Sequence, residues 1–203
     1  MLYAEAKEIA DRLALAIQPG CLRLEIVGSV KRADKPEVHD IEMLVIPNEK
    51  LPRLAFGQKI IHRTFLDKVM YELCESGTLH FLEGGDKLRK YSILEAQTIN
   101  PFKLELYIVR PETWGIQNVI RTGPSLFSHR FVTNKSATCF HKPTGITYPG
   151  LLPDEYTYIR GETRIMRGMD TLLLPEEEDA ISLLGLGWIE PKNRIHIAVK
   201  GKL

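Results

Sequence analysis

Gly28-Ser29 is followed, eleven residues after the serine, by Asp40-Ile41-Glu42, and a third acid, Glu105, lies inside a later apolar alternation. Glycine lets a backbone approach a phosphate closely. The adjoining amides and the Ser29 hydroxyl can donate to its oxygens, and Arg32, in the basic run Lys31-Arg32, adds charge-assisted bonds. Side chains two apart on a strand leave the same face about 7 Å from one another, so Asp40 and Glu42 can reach a common ion or ion pair. Glu105 on a neighbouring strand would complete the cluster. Carboxylates gathered without sulfur or imidazole suit hard cations, Mg²⁺ or Mn²⁺. Two such ions roughly 3.5–4 Å apart clamp the attacking and leaving oxygens of an in-line phosphoryl displacement. Taken one at a time, each acid reads equally as the solvated face of an amphipathic strand. Together with the Gly-Ser pair they suggest a phosphate-and-metal site, a pattern that a solvated strand face would also explain.

These residues need strands to hold them. Residues 22–27 alternate as a half-buried strand closed by Gly28-Ser29. Residues 39–46 alternate again, with Ile41, Met43 and Val45 on one face and Asp40 and Glu42 on the other. Residues 102–109 put Leu104, Leu106 and Ile108 on one face and Lys103, Glu105 and Tyr107 on the opposite one. Residues 30–37 read as a polar, basic connection containing Pro36. His39, just before the acids, reads as a solvated strand-edge histidine.

The surrounding elements follow from periodicity and breakers. Residues 2–17 form an amphipathic helix that stops at Gln18-Pro19-Gly20. Its Glu5, Lys7, Glu8, Asp11 and Arg12 argue against a signal peptide or membrane span. A loop over residues 47–58 leads to a helix over 66–75 closed by Ser76-Gly77. Short strands follow over 79–82 and 90–94, joined at Gly84-Gly85-Asp86, with residues 86–90 read as a charged turn. Pro111 suits a first helical turn, and Thr122-Gly123-Pro124 separates two helices. Residues 145–167 suggest a small irregular β region, and Glu176-Glu177-Glu178-Asp179 place acid at the start of a late helix. Gly185-Leu186-Gly187 reads as a turn before Trp188.

The chain has 203 residues, 44% of them hydrophobic, enough for one large domain or two small lobes. A formal charge of +1 means that any nucleic-acid surface would be a local basic patch. Cys21, Cys74 and Cys139 show no CxxC or paired-histidine spacing. They read as free thiols of a reducing, cytoplasmic compartment, not as zinc ligands.

The segment from Val27-Gly28-Ser29-Val30-Lys31-Arg32 through His39-Asp40-Ile41-Glu42-Met43-Leu44-Val45 resembles the nucleotidyltransferase signature of family X DNA polymerases, the DNA polymerase beta group. Lys103-Leu104-Glu105-Leu106 resembles the strand with that family's third carboxylate, Pro111-Glu112-Thr113-Trp114-Gly115 the start of its next helix, and Thr122-Gly123 its Thr-Gly turn. Leu174-Pro175-Glu176-Glu177-Glu178-Asp179-Ala180-Ile181 and Trp188-Ile189-Glu190-Pro191-Lys192-Asn193-Arg194 resemble the end of its thumb. The ordered matches span almost the whole chain.

The resemblance implies an α+β fold: a nucleotidyltransferase palm of mixed β-sheet flanked by helices over residues 1–120, then a small α/β thumb over 121–203. It implies that Asp40 and Glu42 bind two Mg²⁺ ions (or Mn²⁺), while Glu105 binds the catalytic one and takes the proton of the primer 3′ hydroxyl. Gly28, Ser29 and Arg32 would hold the β and γ phosphates of a nucleoside triphosphate, Thr122 and Gly123 would line its sugar, and Ser128 would stand where the family has an Asn reaching the base edge. Lys103 matches a family Arg beside the third acid.

The implied activity is template-directed DNA synthesis, as in DNA repair, on a primer-template. Template-independent transfer to RNA, DNA or protein, and a catalytically weak nucleic-acid-binding module, are the alternatives. Arg160, Arg164, Arg167, Lys192 and Arg194 would lie in the lobe that meets duplex DNA. Three departures stand out. Glu occupies positions 42 and 105 where the family usually has Asp, and Ile120-Arg121 replaces an aromatic pair. The family's N-terminal lyase and helix-hairpin-helix modules have no match in this sequence, which implies weak binding and short, distributive extension unless another protein or the DNA end supplies the grip; a monomer without membrane contact is expected.

Overall fold

The structure, a computed structural model, describes residues 1–49, 64–96 and 102–200. It is an α+β fold in two units, Met1–Val109 and Arg110–Leu203. The expected division at residue 120 would have cut through a helix, Trp114–Thr122, which lies wholly in the second unit. Ile116 and Val119 of that helix are fully buried in the second unit's core, which fixes its allegiance.

In the first unit, helix α1 (Tyr3–Ile17) buries Ala6, Ile9, Ala10, Leu13 and Ile17, the stripe expected of one helical face against a core. A turn of 3₁₀-helix, Gln18–Gly20, ends it at Pro19. Strand β1 (Cys21–Val27) follows, then a short helix α2 (Gly28–Arg32) and strand β2 (Asp40–Pro47). The Gly-Ser pair therefore opens a helical turn instead of forming a bare turn, and the basic connection is helical through Arg32. Ala33, in the left-handed conformation, stops it.

Helix α3 (Phe65–Glu75) starts in a capping box. The Asp67 amide donates to Thr64 Oγ1 at 3.1 Å, and the Thr64 amide donates to Asp67 Oδ2 at 2.9 Å. Strands β3 (Leu79–Gly84), β4 (Leu88–Ile93) and β5 (Lys103–Ile108) complete a five-stranded sheet of order β1-β2-β5-β4-β3. β2 and β5 are parallel; the other neighbours are antiparallel. Of the expected loop over residues 47–58, residues 50–58 lie outside the described residues. The segment expected to be a charged turn is a turn only at Asp86 and Lys87, because residues 88–90 pair with β5.

One face of this sheet packs on α1 and α3. Ile41, Met43 and Val45 of β2, Leu104 and Leu106 of β5, and Tyr91 and Ile93 of β4 join the helical stripe in one core. The acids occupy the opposite face by strand alternation. That face is not solvated throughout, since Leu44 is fully buried on it. The three cysteines are free thiols, and burial pushes the Cys21 thiol up to about 12. No helix among the described residues is long and apolar enough to cross a membrane.

The second unit begins with a 3₁₀ turn at Pro111–Thr113, then α4 (Trp114–Thr122) and α5 (Ser125–Phe131). A hairpin of β6 (Thr138–His141) and β7 (Ile146–Pro149) precedes a three-stranded sheet of β8 (Tyr156–Ile159), β9 (Arg164–Arg167) and β10 (Asp170–Thr171). Helices α6 (Glu177–Ser182) and α7 (Arg194–Lys200) close it. Gly115 lets α4 approach the chain before α6: its amide donates to Leu174 O at 3.0 Å, and a Cβ there would lie 2.0 Å from Glu176 O.

Candidate active site

Strand register assembles the acids. Glu42 on β2 stands opposite Glu105 on the parallel neighbour β5, and Asp40 stands opposite Lys103. Neighbouring strands run about 4.8 Å apart, so the two glutamates leave the sheet side by side. On the other flank Glu42 pairs with Val27, the residue that leads into Gly28. Gly28 has φ +69°, and a Cβ on it would lie 1.9 Å from Glu42 Oε2 and 2.8 Å from its Cδ. The glycine is thus required twice, for its left-handed backbone and for the carboxylate lying against it. The Gly-Ser segment and the paired acids, separate in sequence, form one locus.

Burial and neighbouring charges both act on Asp40. The Asp40 carboxyl is raised above its ordinary value, first by burial and next by the Glu105 charge; His39, Lys103 and Arg32 pull it the other way. His39 is exposed, as expected for a strand-edge residue, yet its charge acts on Asp40. Arg32 Nε donates to Asp34 Oδ2 at 3.1 Å, and Lys31 pairs with Glu25. A phosphate reaching Arg32 would compete with the Asp34 carboxylate.

Two groups stand beside Glu105. The Tyr107 hydroxyl donates to Glu105 Oε2 at 2.5 Å. Lys90 stands opposite Glu105 on β4, with its Nζ 3.9 Å from Glu105 Oε1 and 2.5 Å from Glu83 Oε1. Tyr107 was detectable as the next residue on the Glu105 face; Lys90 was not, because its strand partner is invisible to local pattern. Arg89, next to Lys90, pairs with Asp67 at the start of α3.

The donor set is all carboxylate oxygen, which fits Mg²⁺ or Mn²⁺ and not a soft metal. The mutual repulsion of Asp40 and Glu105 is what a bound cation would relieve. Among the described residues, no three His, Cys, Asp or Glu side chains are already gathered as a metal cage. Bringing the three acids onto one ion requires Glu42 to turn from its present place against Gly28.

The remaining expected residues lie in the second unit. Thr122 is fully buried, and its hydroxyl donates to Asn118 Oδ1 at 3.0 Å. Gly123 caps α4, its amide donating to Val119 O at 2.9 Å. Ser128 is buried; its hydroxyl donates to Ile120 O at 2.7 Å, with Gly123 O at 3.4 Å. These three build the corner between α4 and α5, with the Thr122 and Ser128 hydroxyl protons already committed.

Arg194, read from sequence among the bases facing DNA, is instead fully buried. Its Nη1 donates to Glu177 Oε1 at 2.6 Å, its Nε donates to Ile189 O at 3.2 Å, and its guanidinium lies over Phe127 and Trp188. Arg164 makes an ion pair with Glu162 at 3.0 Å.

Comparison with family models and with curated proteins returned no match.

Proposed function

We propose that the protein is a metal-dependent nucleotidyltransferase of the family X DNA polymerase type, adding nucleotides to a DNA 3′ end with release of pyrophosphate. The observation that carries this reading is that Glu42 lies against Gly28 on one flank and stands in register with Glu105 on the other, so three points of the resembled signature share one sheet face. The ordered resemblance along the rest of the chain also supports it.

Asp40, Glu42 and Glu105 would hold the metal. Two Mg²⁺ ions bound there supply charge neutralisation and alignment for in-line displacement at a phosphate. Asp40 and Glu42 orient that charge from β2, and Glu105 receives the proton of the attacking 3′ hydroxyl. Ser29 and Arg32, with the Gly28 backbone, bind the β and γ phosphates once Arg32 leaves Asp34. Lys103, opposite Asp40, offsets the carboxylate charge before nucleotide arrives. Most of the catalytic effect is positioning and electrostatics.

Template-independent transfer is the second reading, favoured by Ser128: with its proton given to Ile120 O, it offers no donor to a base edge. The two are separated by incubating the protein with Mg²⁺ or Mn²⁺, each labelled nucleotide in turn, and a labelled primer with and without template. Incorporation that follows the template base supports the polymerase. Equal addition without template supports terminal transfer. DNA binding with no incorporation, unchanged by Asp40→Asn, leaves a binding module and refutes both.

A further inference from the structure

We propose, resting on the nucleotidyltransferase reading, that Tyr107 is the positioning residue that fits a glutamate to the third acid position. Glu105 and Tyr107 sit two apart on β5 and share a face. Tyr107 is 7% exposed, flanked in register by Leu44 of β2 and Leu88 of β4, so its ring is confined between two strands. A tyrosine has only two side-chain torsions, and its hydroxyl here is a fixed donor. It gives Glu105 Oε2 a 2.5 Å charge-assisted hydrogen bond.

The other oxygen is treated differently. Glu105 Oε1 has Lys90 Nζ at 3.9 Å, beyond hydrogen-bond length, while the same ammonium is 2.5 Å from Glu83 Oε1. Register makes this a row across four strands: Glu83, Lys90, Glu105, Glu42. Lys90 Nζ lies nearer Glu83 than Glu105, and Tyr107 anchors Oε2, so Oε1 is the oxygen this proposal assigns to an ion shared with Glu42. Glutamate has one more rotatable bond than aspartate. Tyr107 removes that extra freedom, which lets the longer acid serve where a shorter one would need no tether.

The test is a double-mutant cycle of Tyr107→Phe and Glu105→Asp, with Asp40→Asn as control. Two readouts are taken: kcat and nucleotide KM for primer extension, and Mn²⁺ binding to the nucleotide-free protein by electron paramagnetic resonance of free Mn²⁺. Phenylalanine keeps the buried ring, and circular dichroism verifies folding.

Tyr107→Phe is expected to lower kcat about ten- to a hundredfold with KM nearly unchanged, the signature of a misplaced reacting group. It should also weaken Mn²⁺ binding. In the Glu105→Asp background it should change neither, because the shorter acid withdraws from the hydroxyl. Wild-type kcat and Mn²⁺ affinity in Tyr107→Phe, or equal losses in both backgrounds, would overturn the proposal. Absence of incorporation by wild type sinks the nucleotidyltransferase reading instead, and the Mn²⁺ cycle still decides the role of Tyr107; a wild type that binds no Mn²⁺ overturns both.

Discussion

Gly28→Ala tests the contact that joins the two halves of the site. The new Cβ would sit 1.9 Å from Glu42 Oε2, against an ordinary separation of roughly 3.5 Å, so the carboxylate must retreat by about 1.5 Å. The obstructing atoms are the end of a flexible side chain, so Glu42 gives way before the backbone does. The backbone cost is separate: an alanine at φ +69° loses about 1–2 kcal/mol relative to glycine, or roughly 2–8 °C in Tm for a chain of this size. A displacement of that order at a metal-bearing acid is expected to lower kcat/KM for nucleotide incorporation about a hundredfold. The loss of activity should therefore far exceed the loss of stability. Thermal denaturation and steady-state kinetics on the same preparation measure both. Glu42→Asp shortens the acid and opens the space, so Gly28→Ala in that background should keep the Tm penalty and lose most of the kinetic one. Full activity in Gly28→Ala, or an equal kinetic penalty in both backgrounds, would refute the idea that Gly28 acts through Glu42.

Arg194→Met is expected to destabilise the protein by about 3–5 kcal/mol, because it takes the guanidinium away from the buried Glu177 carboxylate; Arg194→Met with Glu177→Gln should lose less, and urea denaturation placing the single variant within about 1 kcal/mol of wild type contradicts this. Burial opposes ionisation of Asp67, but the Arg89 pairing and the Thr64 hydrogen bonds outweigh it and hold the carboxyl below its ordinary value. A depressed folded-state pKa stabilises above the unfolded value near 3.9 and is lost as pH falls through the folded one. Asp67→Asn should then be about 1–3 kcal/mol less stable than wild type at pH 7, with the gap closing below about pH 4; a gap independent of pH in the same denaturation series would deny the ion pair a role.

Strand alternation made β2 and β5 legible, because Ile41, Met43, Val45, Leu104 and Leu106 must face a core and so throw Asp40, Glu42 and Glu105 to the other side. Helix α1 was readable for the same reason, and its end for the lack of an amide at Pro19. What local pattern does not encode is pairing. Lys90 looks like part of a charged turn until β4 is set beside β5, and only then does it stand opposite Glu105. Gly28-Ser29 was visible as a break after β1; that Gly28 lies against Glu42 emerges only once β1 is set beside β2. Arg194 misled because the resemblance put it among the bases of the lobe that meets DNA, whereas it is buried with Glu177, seventeen residues earlier, supplying the opposite charge. Ser128 was placed by resemblance, and its hydroxyl is taken up by the backbone of the preceding helix.

The central claim is that Asp40, Glu42 and Glu105 act as one metal-dependent unit on a nucleotide. It is tested most directly by pyrophosphate release from a nucleoside triphosphate with primer-template, comparing wild type, Asp40→Asn and Glu105→Gln in Mg²⁺ and in EDTA. Wild type should release pyrophosphate only with the metal, and either substitution should abolish it while circular dichroism stays unchanged. Release that persists in EDTA, or that survives both substitutions, would contradict the account.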